Sequence, residues 1–345
     1  MAGYKYGKNA VFGSGNTTDS LVGPIVIAGN NNTVSGSSEG VMVVGDSNKF
    51  HEDTEHGFIA GESNQIESGS NECAAIGGSG NKIKASSGQS VTLGGLLTNA
   101  AASNSSSRSI VLGGMVNSMN GGTNCVVGGQ TSVVGPNSSN SFIYGNANNV
   151  DCQEVSVIGN DNTVPNTMYR AFFGGSRATG SATGKYSLIT GDGAYANIMA
   201  AHTHAGGMLS SVTGSVQFSN ALVACQTTDA TQTTMKWAVS SSPTEAISIR
   251  ANSSMMFRAE IVARRTSTQT ESAAYEIVGC IKNDAGTTAL EGSITKTVIA
   301  EADAAWDVTA VANNTDDTLD IKVTGAAGKN INWVAKVTLV ETNGA

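Results

Sequence analysis

A glycine recurs at intervals of 14 to 19 residues, most often 16, from Gly13 to Gly191, each time within a unit of the form Φ-x-G-x-x-N-x-Φ, where Φ is apolar. The segments VIAGNNNTV, MVVGDSNKF, FIAGESNQI, FIYGNANNV and VSVIGNDNTV show it most plainly. A fixed period this short marks a repeat architecture and leaves no room for a helical pair in each unit. The twelve anchoring glycines are Gly13, Gly29, Gly45, Gly61, Gly78, Gly95, Gly114, Gly129, Gly145, Gly159, Gly175 and Gly191. Two positions before them stand Val11, Ile27, Val43, Ile59, Ile76, Leu93, Leu112, Val127, Ile143, Val157, Phe173 and Ile189, all apolar and therefore expected to face inward. Three positions after the glycine, eight units carry Asn: Asn16, Asn32, Asn48, Asn64, Asn81, Asn117, Asn148 and Asn162. The others carry Thr98, Ser132, Ala178 or Ala194.

Each unit reads as one coil: a short strand ending at Gly, a turn, and a second short strand beginning near Asn. Glycine supplies the positive φ or close backbone approach of the corner, and Asn both tolerates a left-handed corner and stacks its amide on the next coil's Asn. The expected architecture over residues 9–196 is an all-β parallel solenoid, a β-roll shaft.

Composition bears on how such a coil is stabilised. Charged residues make up 13% of the chain and aromatics 5%, so few large side chains exist for a thick interior. A 16-residue coil has a perimeter of about 53 Å and points few side chains inward, while ordering its backbone costs about 1–2 kcal/mol per residue. Three rods packed side by side would bury a further apolar face, and a homotrimer is expected.

The formal net charge of −8 gives no basic stripe for nucleic acid. The start of the chain, MAGYKYGKNAVFGSGN, lacks an apolar h-region, and no apolar run is long enough to span a bilayer as a helix. Neither signal-directed export nor membrane insertion is expected. Five cysteines without CxxC spacing read as reduced, buried thiols of a chain folded in a cytoplasm.

From about Ser215 the Gly-Asn repeat gives way to alternating segments such as MMFRAEIVARR, AYEIVGCIKND, AWDVTAVAN and NINWVAKVTLVE, separated by the turn signals DAGTT, NNTDDT and GAAGKN. This pattern predicts a C-terminal antiparallel β-sandwich or jelly roll over 215–345, after a neck at 197–214. Trp306 and Trp333 are expected in its core.

The shaft segments CAAIGGSGNKI, NCVVGGQTSVVG and EVSVIGNDNTV resemble the head repeats of trimeric autotransporter adhesins, which form a β-roll trimer. The run from KYSLITGDGAYANIMAAHTHAGG through VARR, AAWDV and GAAGKNINWVA resembles the C-terminal domain of bacteriophage tail-fibre and tailspike-type proteins. That resemblance implies a virion tail protein, assembled in the host cytoplasm, that adheres to a bacterial surface glycan such as lipopolysaccharide. It implies contact with tail or baseplate adaptor proteins through residues 1–8. The alternatives are a polysaccharide depolymerase tailspike and a virion decoration protein without a receptor.

Receptor contact is expected from Trp237, Arg264, Arg265 and Asp284, whose indole, guanidinium and carboxylate groups suit sugar stacking and paired hydrogen bonds. Should the chain cleave glycan, Glu52, Asp53 and Glu55 are the first catalytic candidates, with Asp151 and Glu154 next. His202 and His204 share one face of a strand. On a threefold axis six such imidazoles would suit iron or another divalent metal, and the pair resembles the HxH iron sites of some phage fibre tips. GSSEG around Ser38 has nucleophile-elbow spacing, but the α/β context that motif needs is missing from the pattern.

Overall fold

The computed structural model describes residues 9–19, 24–96, 99–100, 108–237, 246–266 and 270–344. They contain strands, turns and bends and no helix. The chain divides into two compact units, Met1–Tyr169 and Arg170–Ala345.

The first unit is a parallel β-solenoid. The long strand of one coil pairs in register with that of the next, so Gly29 of Ile25–Asn30 lies opposite Gly45 of Val41–Asp46, and Gly45 opposite Gly61 of Phe58–Glu62. Short strands such as Thr33–Val34, Lys49–Phe50 and Gln65–Ile66 form a second parallel stack. A third side is held by single bridges, including Glu39 to Glu55 and Ser139 to Gln153. The coil is thus three-sided where two strands are expected. The extra side escapes a sequence pattern because one bridge per coil imposes no alternation.

Ile27, Val43, Ile59, Val127, Ile143 and Val157 are fully buried, as expected of the position two before Gly. Ile76, Leu93 and Leu112 are instead 37–39% exposed, and Ala75, Thr92 and Val111 fill the interior in their place. The cause is an additional glycine. Gly77, Gly94 and Gly113 take φ of 72°, 64° and 51°, and the ladder shifts register between Ala60 and Glu62 and again between Leu112 and Met115. A bulge adds one residue to a strand, and one residue reverses which side chain points inward. Val11, in the first coil, is 45% exposed; it is covered by a described coil, at Ile27, on one side only.

Asn is not the left-handed residue. That conformation falls one position earlier, at Asn31, Ser47, Ser63, Thr131, Ala147 and Asp161, all with φ between 53° and 57°. The buried Asn instead carries the ladder between coils. Asn48 N donates to Asn32 Oδ1 at 3.0 Å, Asn48 Nδ2 donates to Gly61 O at 2.8 Å, and Asn64 N donates to Asn48 Oδ1 at 3.0 Å. Ser132 takes the same place with longer bonds, accepting from Asn148 N at 3.3 Å and donating to Gly145 O at 3.4 Å. Thr98 lies outside the described residues.

In the second unit, coils anchored by Gly175 and Gly191 are followed by His202–Leu209, which pairs in parallel with Leu188–Asp192 and then antiparallel with Val212–Thr227. The stack passes in this way into an antiparallel sheet, Val212–Thr227, Ile331–Asn343, Ser253–Arg265, Ser272–Asp284 and Thr295–Glu301. Along Ser253–Arg265 and Ile331–Asn343 buried and exposed residues alternate almost without interruption, as a sheet with one covered face requires. A smaller sheet centred on Thr318–Thr324 pairs with Asp307–Asn313, Thr233–Thr234 and Ile247–Ser248. Phe257, Ile261, Tyr275, Val337 and Leu339 of the large sheet and Val308, Ile321 and Val323 of the small one share a single core. Trp306 and Trp333 lie in it at 1% and 0% exposure, their rings 5.7 Å apart, with Trp333 Nε1 donating to Thr227 Oγ1 at 2.9 Å.

One charge-bearing group is sealed where the last coil meets the sheet. Glu341 is 4% exposed; its Oε2 accepts from Gln217 Nε2 at 2.6 Å, and its Oε1 has no partner. Gln217 in turn accepts from Tyr195 N at 2.8 Å and donates to Tyr195 O at 3.2 Å. Burial raises the Glu341 carboxyl from 4.5 to about 7, against the opposing Gln217 hydrogen bond and Arg250 charge.

Two outcomes follow. Asn48→Ala leaves a buried carbonyl and amide unpaired and should cost about 2–3 kcal/mol, whereas Asn48→Ser should cost about half as much; denaturant midpoints for both variants measure this, and equal losses would contradict the ladder. For Glu341, the folded state holds a proton that the unfolded state releases, so stability is full below the unfolded value and falls as pH rises through about 7. Melting temperatures of wild type and Glu341→Gln should coincide near the lower limit and diverge above the upper, with the variant the more stable; a pH-independent difference would rule this out.

Candidate functional site

The four residues expected at a receptor do not form one site. Arg264 pairs across its strand with Ser272 and Asn332, near one end of the hairpin formed by Ser253–Arg265 and Ser272–Asp284. Asp284 lies beyond the other end, where Ser253 faces Asn283. Eleven residues at about 3.3 Å each put about 36 Å between them. Arg265 pairs with Glu271 at 3.3 Å, and Glu271 is held by Lys329 at 2.8 Å, which also binds Asp303 at 2.6 Å. The Lys329 ammonium lowers both carboxyls, and they raise Lys329 in return. Asp284 pairs with Lys282 at 3.1 Å. These groups brace turns at opposite ends of a sheet.

Trp237 has a different environment. Its ring centroid lies 4.6 Å from that of Tyr186, and the Arg170 guanidinium sits 5.5 Å from the Tyr186 centroid while Arg170 Nη1 donates to the Tyr186 hydroxyl at 3.1 Å. Arg170 and Tyr186 occupy the same corner of successive coils, with φ of 56° and 61°. Neither residue stands out in the repeat alignment, because the corner position tolerates almost any type: His56, Glu72, Gln89 and Asn140 take it elsewhere.

Glu52, Asp53 and Glu55 are all exposed. Asp53 accepts from Ser37 Oγ, and Glu55 N donates to Asn71 Oδ1 at 3.0 Å, ties that hold neighbouring coils together. Asp151 accepts from Asn137 N at 2.8 Å and from Asn137 Nδ2 at 2.9 Å in the same manner. Glu154 sits at a coil corner with φ of 56°. Burial, aided by Lys49, lowers the nearby His51. Ser38 is fully buried, and its hydroxyl donates to Ser35 O and His51 O at 3.0 Å each, a structural role. Burial likewise raises the thiols of Cys73 to about 11 and Cys152 to about 12, which keeps them protonated and unreactive near neutrality.

His202 and His204 share one half-buried strand face. Thr190 Oγ1 lies 3.2 Å from His202 Nε2 and 3.0 Å from His204 Nδ1, and the Phe218 ring is 5.5 Å from His204. No group of three or more His, Cys, Asp or Glu suited to a metal occurs among the described residues. A shallow hollow of ≈ 410 Å³ on the large sheet is lined by Arg258, Glu260, Val262, Ala274, Glu276 and Ile299, among others, none of them singled out from the sequence.

The feature the repeat pattern conceals is an uncharged outer strip. Outward side chains of the long strands align coil by coil through Val26, Met42, Phe58, Ala74, Val91, Ile110, Val126, Phe142 and Ser156. Beside them run Ala28, Val44, Ala60, Ile76, Leu93, Leu112, Gly128, Tyr144 and Ile158. Met42 is 43% exposed, Phe142 39%, Tyr144 53% and Ile158 46%. At about 4.8 Å per coil the strip runs about 40 Å, enough for roughly 400 Å² of apolar surface, the scale that marks contact faces. The signal was legible, since residues on both sides of the inward position are apolar in most coils.

No protein-family model and no curated protein matches the chain. Among solved structures, the tailspike protein gp49 of Acinetobacter baumannii bacteriophage Fri1, a capsular polysaccharide depolymerase, aligns over 94% of this chain and 79% of its own at 7% identity and a TM-score of 0.21. The tailspike protein of Acinetobacter phage vB_ApiP_P1 aligns over 93% of this chain and 82% of its own at 10% identity and a TM-score of 0.18. Likeness at that level carries no functional argument.

Proposed function

We propose that the protein is a homotrimeric tail-fibre or tailspike-type adhesin of a bacteriophage, fixed to the virion tail through its N-terminal residues and adhering to a bacterial surface glycan such as lipopolysaccharide. The observation that carries the trimer is the uncharged outer strip on the solenoid. Each coil offers the same pair of outward positions at the same height, so identical chains can meet rung against rung. Solvent-exposed charge, which would oppose such contact, is missing from both columns along nine coils. Three copies then carry three C-terminal sandwiches, and the multiplied contact converts weak sugar binding into firm adhesion.

The phage assignment rests on the likeness of the C-terminal segments to tail-fibre domains, and the β-solenoid that passes into an antiparallel sandwich is consistent with it. Adhesion without bond cleavage is favoured because the Asp53 and Asp151 carboxylates are engaged in hydrogen bonds that tie neighbouring coils, to Ser37 and Asn137, whereas glycoside hydrolysis needs two carboxyls free to act on the bound sugar. In the trimer, His202 and His204 of three copies would supply six imidazoles to a divalent metal, with the ring nitrogens turned away from Thr190 as ligand atoms.

Light scattering of the full chain should give the mass of three 35.0 kDa subunits. Phe142→Asp places a charge in the strip and should yield folded monomers by the same measurement, with strand content unchanged in circular dichroism. A wild-type monomer, or a variant that stays trimeric, would refute the assembly. Labelled protein should bind whole bacteria without releasing soluble sugar; reducing ends in the supernatant would transfer the assignment to a depolymerase.

A further inference from the structure

We propose that the outward face of the large sheet in the second unit is an interface, and that its occupant is the same face of neighbouring copies of this chain around the threefold axis. This deepens the trimer reading above and rests on it.

The face is made of the alternate residues that the sandwich core leaves uncovered, and the ladder sorts them into rows. Phe218, Val340, Met256 and Cys280 lie side by side across four strands, and Ala224, Val334, Val262, Ala274 and Ala300 across five. Both rows are apolar. Met256 is 55% exposed, Val262 55%, Val334 44% and Val340 58%, and Leu222, between the rows, reaches 59%. A sheet that packs one face on a core ordinarily turns polar residues to water on the other. Four strands at about 4.8 Å, with thirteen residues in three of them at about 3.3 Å each, give a face of about 800 Å². That is the scale each partner buries in a stable complex.

Two observations name the occupant. The first is continuity. Phe172 stands in its coil where Phe142 stands in its own, three residues before the anchoring glycine. From Phe172 the pairing runs through Leu188 and His202 to Asn220 and Thr338, and from Thr190 through His204 to Phe218, Val340 and Met256. The outward columns of the coils anchored by Gly175 and Gly191 thus lead onto this face without changing side. Copies that meet rung against rung at Phe172 and Leu188, 37% and 41% exposed, are led to meet here as well.

The second is charge. Between the apolar rows stand two cations, Arg258 and Lys336, and two carboxylates, Glu260 and Glu276. Arg258 pairs with Glu276 and, at 3.7 Å, with Glu260, which Lys336 approaches at 3.7 Å from the neighbouring strand. Thr338 Oγ1 donates to Asn220 Oδ1 at 2.9 Å in the same part of the face. In a chain of net charge −8 this surface is balanced, and its charges are matched within one copy, so an identical face is not repelled. An anionic host polymer would find no excess of cations on it.

The full-length protein in its native oligomeric state tests the face. In a Cys280→Ser background, Val340→Cys should be joined between subunits by a short bismaleimide, to an extent unchanged by dilution. Thr315→Cys, in an exposed turn of the small sheet, should not be joined. Val340→Glu should lower the melting temperature by about 5 °C or more, because three carboxylates would enter a dry contact, whereas a substitution on a free surface moves it little. Thr315→Glu should leave it unchanged.

A trimer in which either response at position 340 is missing would overturn the face and leave the trimer standing. Loss of cell binding by Val340→Glu, with mass and melting temperature unchanged, would give the face to a host partner and overturn the proposal too. A wild-type monomer would overturn the trimer reading itself, and this interface with it.

Discussion

Successive coils of this chain approach so closely at one point that no side chain fits between them. A Cβ atom on Gly29 would lie 1.9 Å from Gly45 O, one on Gly45 would lie 2.0 Å from Gly61 O, and one on Gly145 would lie 1.8 Å from Gly159 O. The carbonyl that excludes the side chain is the same one that receives the Asn amide from the coil before, as at Gly45 O and Asn32 Nδ2, 2.8 Å apart. Glycine and asparagine are thus two halves of one contact. It sets the height of each coil and satisfies a buried acceptor, and from it follow the stacked interior residues and the aligned outer columns.

This explains why a chain poor in aromatic and charged residues folds at all. Each coil buries little on its own, and its cohesion comes from hydrogen bonds repeated down the stack together with small apolar side chains in register. The sandwich in the second unit works by the opposite means, with two tryptophans and long alternating strands around a closed core. The chain combines a repetitive part, limited by how little it buries, with a globular part that is conventional in its packing.

The sequence disclosed the repetitive part because one residue type per period was irreplaceable. Gly and Asn revealed the coil, its period and its parallel pairing, and strict alternation revealed the sandwich and the burial of Trp306 and Trp333. What escaped was whatever several residue types can satisfy. The left-handed corners hold Ser47, Thr131, Ala147 and even Val116, so composition did not betray them. The bulges at Gly77, Gly94 and Gly113 look like ordinary anchors, since Gly128 and Gly129 form the same dipeptide with no register shift. The candidate sites were legible only as single residues. That Arg264 and Asp284 sit at opposite ends of a hairpin, and that Tyr186 comes to meet Trp237, depends on pairings with no local signature.

The bulged coils also bear on how such a protein changes over generations. A coil can gain a residue at Gly77, or lengthen between Gly95 and Gly114, and the next coil still finds its glycine opposite a glycine or the equivalent rung. The extra residue is shared by the three neighbouring coils of Gly77, Gly94 and Gly113, and the earlier register returns beyond them, at Met115 and Gln130. Recombination that duplicates or removes a whole period would leave both neighbours with compatible surfaces, so the number of coils can change in steps of one while the sandwich is inherited intact.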